Sequence, residues 1–300
     1  MSIAIVCNLS DGVVLGADSA ITVTANQPGV EGAGPLVAKV YNEAEKVFPL
    51  ADLPMGIVNF GVAMIRSRTI GSFVDEFVAT SIEKDPPRFA EMDVAGVAKE
   101  LGIFFFKEYE DAFKQILKQR KDQGGAQRTG LPILGLVVAG YSPGAYLAEV
   151  LDASMPGTIP DKDPLRVREQ GNFGSNWFGN FAPLHRLIKG VDQSLINRVI
   201  DYFVKEREVS FGDDDKKKIE AIVRSFEGQI PYAAMPLNEG VAHVRFLLDT
   251  VIGNTKWVLG PPTCGGVTRI GVVRRKGPLR YVTDSSVGSV KRSDAQEGIA

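Results

Sequence analysis

Apolar residues cluster in two short runs at the start of the chain, at 3–9 and 12–19, and a polar turn separates them. The turn contains Asp11-Gly12. An Asp-Gly pair between two apolar runs is a strong hairpin signal, because Gly supplies the positive φ that such a turn needs. The pattern therefore predicts a β-hairpin that begins with the first residues. Its second strand runs into an acidic residue, Asp18.

Two later stretches, 62–82 and 93–118, repeat apolar residues every three to four positions, which predicts amphipathic helices. In the first, four apolar side chains share one face: Ile70, Phe73, Val74 and Phe77. In the second, Asp93 is a candidate N-cap, because its carboxylate can accept an N–H group of the first helical turn. Four further helical patterns follow, at 181–189, 192–206, 213–227 and 238–252.

Apolar runs with the character of strands occur outside the first hairpin as well. They are 38–49, 55–60, 131–141, 145–152, 167–173 and a last hairpin of 266–274 with 279–283. The order is strands, two helices, strands, helices and strands, with no internal repeat and no clear linker. This order predicts one α+β domain in which two sheets lie between helical layers. The polar stretch 285–300 is predicted to be a flexible tail.

Charge and cysteine usage narrow the class of protein. The 34 basic residues nearly balance 36 acidic ones, which argues against a nucleic-acid or acidic-membrane partner. Cys7 and Cys264 are too few for a disulfide framework and are expected to be buried thiols in a reducing compartment. We find no secretory leader pattern and no apolar run long enough for a membrane span. We therefore expect a soluble, cytoplasmic protein.

Metal and cofactor chemistry has no sequence support. The chain has only two histidines, His185 and His243, and neither is clustered with cysteines in a metal-ligand spacing. The sequence therefore predicts no metal site and no cofactor. It also lacks the Gly-x-Ser-x-Gly elbow of the serine hydrolases that use a Ser-His-Asp triad.

Residue 2 offers a different kind of chemistry. A small residue follows Met1, so removal of the methionine would leave Ser2 as the first residue. Ser2 would then carry both a hydroxyl and a free α-amine, so that one residue supplies a nucleophile and a base. The α-amine titrates close enough to neutral pH to accept the hydroxyl proton there.

Five segments carry a resemblance to a known family. They are Asp11-Gly12-Val13-Val14-Leu15-Gly16-Ala17-Asp18-Ser19, Glu45-Lys46-Val47-Phe48-Pro49-Leu50, Met55-Gly56-Ile57-Val58-Asn59-Phe60-Gly61-Val62-Ala63, Phe173-Gly174-Ser175-Asn176-Trp177-Phe178-Gly179 and Thr263-Cys264-Gly265-Gly266-Val267. With these segments the chain resembles the proteasome β-type family of N-terminal-nucleophile hydrolases, which includes proteasome β subunits, the bacterial two-component ATP-dependent peptidase and bacterial ancestral-β relatives. The similarity is strong over 2–80, fair over 131–283 and weak over 207–237, which has the character of an insertion.

The resemblance implies a fold and an activity. The fold is a four-layer αββα N-terminal-nucleophile-hydrolase sandwich, built as a single domain over 2–284. The activity is hydrolysis of peptide bonds by a threonine/serine-type endopeptidase, acting as a subunit of a self-associating proteasome-like assembly. The implied partners are a peptide or unfolded-protein substrate, further copies of the chain in a homo-oligomer, and an ATPase or another regulator. Cofactors, nucleic acid and membranes have no part in it.

The resemblance also assigns roles to individual residues. The catalytic positions are Ser2 as nucleophile, Lys46 as the catalytic lysine, Asp18 as its acidic partner, Ser175 as a supporting serine, and Phe60 with Gly61 as the oxyanion turn. A lysine ammonium near the α-amine disfavours a second cation, and so lowers the proton affinity of both the amine and the hydroxyl. An N–H of the oxyanion turn can donate to the developing negative charge.

Three departures from the family pattern leave two alternatives open. Serine replaces threonine at residue 2, and Phe60 stands where glycine is usual, so that its side chain narrows the site. Pro261 and Cys264 replace a supporting aspartate and a supporting serine. The alternatives are a catalytically inactive structural subunit and an amidase that acts on small amides.

Overall fold

Two antiparallel five-stranded sheets form the centre of the computed structural model, which describes residues 2–25, 36–122, 132–157, 163–259 and 264–283. In spatial order, the first sheet consists of β12 (Gly174–Gly179), β1 (Ile3–Leu9), β2 (Gly12–Ala17), β13 (Arg269–Val273) and β14 (Arg280–Tyr281). The second consists of β11 (Leu165–Arg168), β10 (Glu149–Asp152), β9 (Leu134–Gly140), β6 (Met55–Gly61) and β5 (Val47–Pro49). Two small antiparallel ribbons complete the strands: β3 (Ile21–Ala25) with β4 (Leu36–Tyr41), and β7 (Met64–Ile65) with β8 (Arg68–Thr69).

The predicted N-terminal hairpin is present. β1 and β2 pair from Ala4 opposite Ala17 to Leu9 opposite Gly12, so that only Ser10 and Asp11 form the turn. Every residue of both strands is buried, because β1 and β2 lie inside their sheet and both faces of the sheet are covered. Asp18 follows directly after the last residue of β2.

The two sheets face each other across an apolar core. Successive side chains of a strand point to opposite faces, so alternate residues share this core. From the first sheet they include Ala4, Val6, Val13, Leu15 and Ala17, and from the second Val58, Phe60, Val137, Ala139 and Val150. The remaining residues of these strands face the helices outside.

Helices cover the outer face of each sheet. The second sheet packs against α1 (Ile70–Phe77), α2 (Pro86–Glu91) and α3 (Val94–Asp122). The first sheet packs against α4 (Ala182–Ile188) and α7 (Leu237–Trp257). A π-helical turn (Val78–Ile82) follows α1, and a 3₁₀ turn (Tyr232–Ala234) precedes α7.

Two helices lie outside these cores, α5 (Gln193–Glu206) and α6 (Asp213–Ser225). None of their described side chains is buried. Most of the stretch 207–237, which the sequence marked as an insertion, consists of α6 and the turns that flank it.

Most predicted elements are present, with two informative errors. The helix expected over 62–82 begins only at Ile70, because the preceding residues form the β7–β8 ribbon. The strand expected over 38–49 is broken into β4 and β5, and residues 42–46 of the break include Lys46. The Asp93 cap is confirmed: its carboxylate accepts the N–H of Gly96 at 2.7 Å.

The mixed α/β content and the antiparallel sheets that we expected are confirmed. No helix in the described parts of the chain is long and apolar enough to cross a membrane. The predicted tail at 285–300 lies outside the described residues, as do Met1 and Pro261.

Candidate active site

Ser2 lies at the start of β1 with its side chain directed at the second sheet. The residue is 2% exposed, and its Oγ accepts a hydrogen bond from the Gly61 N–H at 2.8 Å. Its carbonyl oxygen accepts the N–H of Asn180 at 2.8 Å, which holds the backbone of residue 2 against the end of β12. The hydroxyl is therefore held between the sheets at the end of the sandwich.

Gly61 can take its position only because it lacks a side chain. Its φ is +81°, in the region that favours glycine. A Cβ there would lie 2.1 Å from the carbonyl oxygen of Ile133, much closer than real Cβ atoms approach. This turn at the end of β6 directs the Gly61 N–H at Ser2.

Asp18 is fully buried and accepts four hydrogen bonds. Oδ1 accepts the Ile3 N–H at 3.1 Å and the Lys46 Nζ at 2.8 Å. Oδ2 accepts the Ala20 N–H at 3.3 Å and the Gly265 N–H at 3.1 Å. A buried carboxylate is tolerated when its lone pairs are satisfied in this way.

Lys46 is the cationic partner in this buried group. Its Nζ donates to Asp18 at 2.8 Å and to the Ala20 carbonyl at 2.7 Å, and the residue is 2% exposed. The Ile3 N–H and the Lys46 Nζ donate to the same oxygen, Asp18 Oδ1. Lys46 is therefore linked through this one oxygen to the residue that follows Ser2. The ion pair has so little contact with water that loss of one partner would leave the other desolvated.

N–H groups along one edge of β6 donate hydrogen bonds to both Lys46 and Ser2. The Asn59 N–H donates to the Lys46 carbonyl at 2.7 Å. Successive N–H groups of a strand point to opposite edges. The Gly61 N–H is therefore on the edge that faces Lys46, whereas the Phe60 N–H points away, toward β9.

The side chain of Phe60 lies in a packing position between the sheets. Its ring stacks on Phe178 with the ring centres 5.4 Å apart. Gly135 is directly opposite in β9, and a Cβ on it would lie 2.2 Å from the Phe60 ring. The absence of a side chain at Gly135 makes room for the ring in the core between the sheets.

Ser175 is not brought to this group. It lies in β12, and it pairs with Cys7 of β1. Cys7 belongs to the outer core beneath α7. Ser175 is thus opposite a residue five positions from Ser2, about 17 Å along a strand, and on the other face of the sheet.

Sequence reasoning missed the backbone groups that complete the site: the Ala20 carbonyl and the N–H groups of Ile3 and Gly265. No residue type announces them, because any residue has an N–H and a carbonyl. Cys264 is buried in the core beneath α7, and the adjacent Gly265 supplies the N–H for Asp18. In the described parts of the chain, no group of three His, Cys, Asp or Glu side chains is placed to hold a metal ion.

Comparisons with known proteins do not assign a family. No family model matches the chain, and no curated protein matches it. Among solved structures, the chain is similar to the Anbu (Gly-1) mutant from Hyphomicrobium sp. strain MC1, with a TM-score of 0.47 and 10% identity over 95% of this chain and 88% of that one. A likeness of this size carries no argument about fold or chemistry.

The predicted membership of the proteasome β-type family is therefore wrong. The motifs that predicted it are five short segments, and no family model matches the chain. The fold and the site by themselves define an α/β protein with two facing antiparallel sheets and a buried Lys46–Asp18 pair near Ser2.

Proposed function

We propose that the protein is an N-terminal serine hydrolase that cleaves peptide bonds, with Ser2 as the first residue after removal of Met1. The observation that carries this proposal is the 2.8 Å hydrogen bond from the Gly61 N–H to Ser2 Oγ, beside the buried Lys46–Asp18 pair. A hydroxyl, a nearby cation and an aimed N–H donor are groups that acyl transfer requires.

The first chemical step uses both functional groups of Ser2. The free α-amine accepts the hydroxyl proton while Oγ bonds to the carbonyl carbon of the scissile peptide bond. The carbonyl π electrons move to the oxygen, which becomes a tetrahedral oxyanion. The base needs no further residue, because it belongs to the nucleophile itself.

The Gly61 N–H is the proposed oxyanion donor. This N–H already lies at hydrogen-bond distance from Ser2 Oγ. The oxyanion is the oxygen bonded to the carbon that Oγ attacks, so it forms close to the same N–H. One such donor contributes roughly 3–4 kcal/mol to transition-state stabilisation. Phe60 is left out of this role because its N–H points to the other edge of β6, and Ser175 is left out because it lies on the other face of the first sheet.

Lys46 acts on the nucleophile through its charge. A buried ammonium lowers the proton affinity of the neighbouring amine and hydroxyl, which keeps the amine neutral and ready to accept a proton. Asp18 holds the ammonium in place, and the N–H groups of Ile3, Ala20 and Gly265 hold Asp18. Lys46 and Asp18 are therefore positioning and electrostatic residues in the proposed reaction.

The reaction then completes through an ester. The protonated amine passes its proton to the leaving nitrogen, the C–N bond breaks, and the acyl group stays on Oγ. Water, deprotonated by the same amine, attacks the ester carbonyl; the C–Oγ bond then breaks, the amine returns its proton to Oγ, and the acid is released. The proposal treats the helix–sheet–sheet–helix layers as an αββα sandwich of the N-terminal-nucleophile type.

The test compares four proteins: wild type, Ser2→Thr, Ser2→Ala and Ser175→Ala. Intact mass first establishes that Met1 is absent and that the residue-2 amine is free. Each protein is then assayed on a fluorogenic peptide library and on small amides. We expect wild type and Ser2→Thr to cleave peptides, Ser175→Ala to match wild type, and Ser2→Ala to lose at least a hundredfold in rate.

Each other result refutes a stated part of the proposal. Equal cleavage by Ser2→Ala would place the nucleophile elsewhere. Cleavage of small amides alone would make the protein an amidase. No cleavage by any form would favour an inactive structural protein, and a mass that retains Met1 would remove the amine on which the mechanism depends.

A further inference from the structure

A cleft lies at one end of the second sheet, and Ser2 lies at the other end of the same sheet. The cleft has a volume of about 190 Å³. β6 connects the two places: Met55 at its start lines the cleft, and Gly61 at its end contacts Ser2. The cleft is therefore separate from the candidate active site.

One wall of the cleft is apolar. It is formed by Leu53, Met55, Phe89 and Met92. The volume corresponds to about six water molecules at roughly 30 Å³ each. This is enough room for a short hydrocarbon chain, and a flexible methionine wall adapts to such a chain.

The cleft is also lined by two cations. They are Arg275 and Lys276, which come from the turn between β13 and β14 of the first sheet. The Arg275 guanidinium rests on the Tyr146 ring, 3.8 Å from its centre, and its Nε donates to the Ala145 carbonyl at 3.0 Å. These contacts fix the guanidinium and leave both terminal nitrogens without a partner among the described residues.

Tyr141 also lines the cleft, and the residue as a whole is 2% exposed. In the described parts of the chain its hydroxyl has no hydrogen-bond partner. The charged groups that face it are Asp11, Arg274 and Arg275, so cations outnumber the single acid. An acceptor oxygen in the cleft would give this hydroxyl a hydrogen-bond partner.

We propose that this cleft binds a short aliphatic carboxylate. The hydrocarbon chain packs on Leu53, Met55 and Phe89. The carboxylate accepts hydrogen bonds from the Arg275 guanidinium and the Tyr141 hydroxyl, while Lys276 adds positive charge. A guanidinium matches the two oxygens of a carboxylate in geometry as well as in charge. This site is independent of the function proposed for Ser2.

The test is an NMR titration of the full chain, labelled at the methionine methyl groups, with hexanoate and with its uncharged isostere hexanamide. Met55 and Met92 report on the cleft directly. We expect hexanoate to bind with a dissociation constant near 1 mM or tighter, as is reasonable for a ligand of this size. Hexanamide should bind at least tenfold more weakly, since it lacks the charge.

Three variants locate the binding groups. Arg275→Gln should weaken hexanoate at least tenfold and leave hexanamide unchanged. Tyr141→Phe keeps the ring and should weaken hexanoate about fivefold. Arg280→Gln removes an exposed cation of β14 outside the cleft and should change neither ligand. The methyl spectrum of each free variant reports whether it is folded.

Three outcomes overturn the proposal. They are equal binding of hexanoate and hexanamide, no saturable shift of the Met55 and Met92 methyls up to 20-fold above the expected dissociation constant, and an equal effect of Arg280→Gln and Arg275→Gln.

Discussion

At the scale of single residues, Asp18 organises the site. One carboxylate joins the residue after Ser2, the buried Lys46, the turn after β2 and the backbone next to Cys264. Three of its four donors are backbone N–H groups, which stay in place when any side chain is changed. The Asp18 carboxylate therefore keeps three hydrogen bonds when the Lys46 side chain is removed.

Lys46→Ala should reduce the proposed peptide hydrolysis far more than it reduces stability. The loss of the ammonium should slow turnover by roughly 10²–10⁴-fold. Breaking a buried ion pair ordinarily costs about 3–5 kcal/mol. Because Asp18 keeps three N–H donors, we expect the free energy of unfolding to fall by only about 1–3 kcal/mol. Urea denaturation and the peptide assay measure the two effects.

The matched control is Lys39→Ala, which removes an exposed lysine of β4. It should leave both activity and the urea midpoint close to wild type. Unchanged turnover in Lys46→Ala, or a stability loss as large as that of a fully uncompensated charge, would contradict the role given to Lys46.

At the scale of elements, the end of β6 determines where the donor N–H points. Gly61→Ala should destabilise the protein by about 2–4 kcal/mol, because the substitution combines a positive φ with a steric clash against the Ile133 carbonyl. Thermal or urea unfolding measures the loss. Any relief of the clash must move the Gly61 N–H away from Ser2, so activity should fall as well.

Gly144→Ala separates the two causes. Gly144 has a similar φ of +76°, but nothing lies within 4 Å of the position of its missing Cβ. It should cost only the left-handed backbone strain, about 1–2 kcal/mol. If Gly61→Ala lowers the free energy of unfolding by no more than Gly144→Ala does, the close approach of the Ile133 carbonyl does not contribute to the loss.

At the scale of the whole molecule, the surfaces left for self-association depend on which apolar side chains the fold leaves exposed. The apolar stripe of α1, and that of α3 as far as Phe113, pack into the protein's own core. Five exposed apolar residues lie along α5: Leu195, Val199, Tyr202, Phe203 and Val204.

We predict that the protein self-associates through α5. Its exposed apolar residues recur at helical spacing, and a stripe of this kind usually marks an interface. Light scattering should give a mass above 32.4 kDa at micromolar concentration, and Val199→Lys should return it to that value. Leu165→Lys, at an exposed position of β11, is the control. A wild-type mass of 32.4 kDa would refute the prediction.

Alkaline pH should destabilise the whole fold. Burial raises the pKa of Cys7 to about 12, and Arg168 partly offsets this; burial also raises the pKa values of Tyr141 and Tyr232 to about 12. Between pH 9 and 12 these groups lose protons in the unfolded state before they do so in the folded state. The unfolded state then binds fewer protons, so the free energy of unfolding falls as pH rises.

Urea midpoints at pH 7.5 and 10.5 test this. Cys7→Ala should show a pH-dependent loss that is smaller than the wild-type loss by about 1–2 kcal/mol. An identical pH dependence in wild type and Cys7→Ala would show that the thiol does not contribute.

The local pattern of the sequence was sufficient for the elements whose signals are local. The N-terminal hairpin, the Asp93 cap and the apolar stripes of α1 and α3 depend on neighbours a few residues away, and each is present, although the turn of the hairpin is Ser10-Asp11 and not Asp11-Gly12. The sequence also placed Ser2, Lys46 and Asp18 in one site, and the structure brings Asp18 and Lys46 into contact and places Ser2 next to them.

Only the tertiary structure decided what depends on register and on the strand edge. Ser175 lies away from Ser2 because β12 pairs with β1 at Cys7, and the Phe60 N–H points away from Ser2 because alternate N–H groups of β6 point to opposite edges. The backbone donors to Asp18 are the N–H groups of Ile3, Ala20 and Gly265. Ile3 is 15 positions from Asp18 in the sequence, Gly265 is 247 positions away, and Ala20 lies in the turn that follows β2. Backbone groups carry no sequence signal, so only the folded arrangement of strands can assign them.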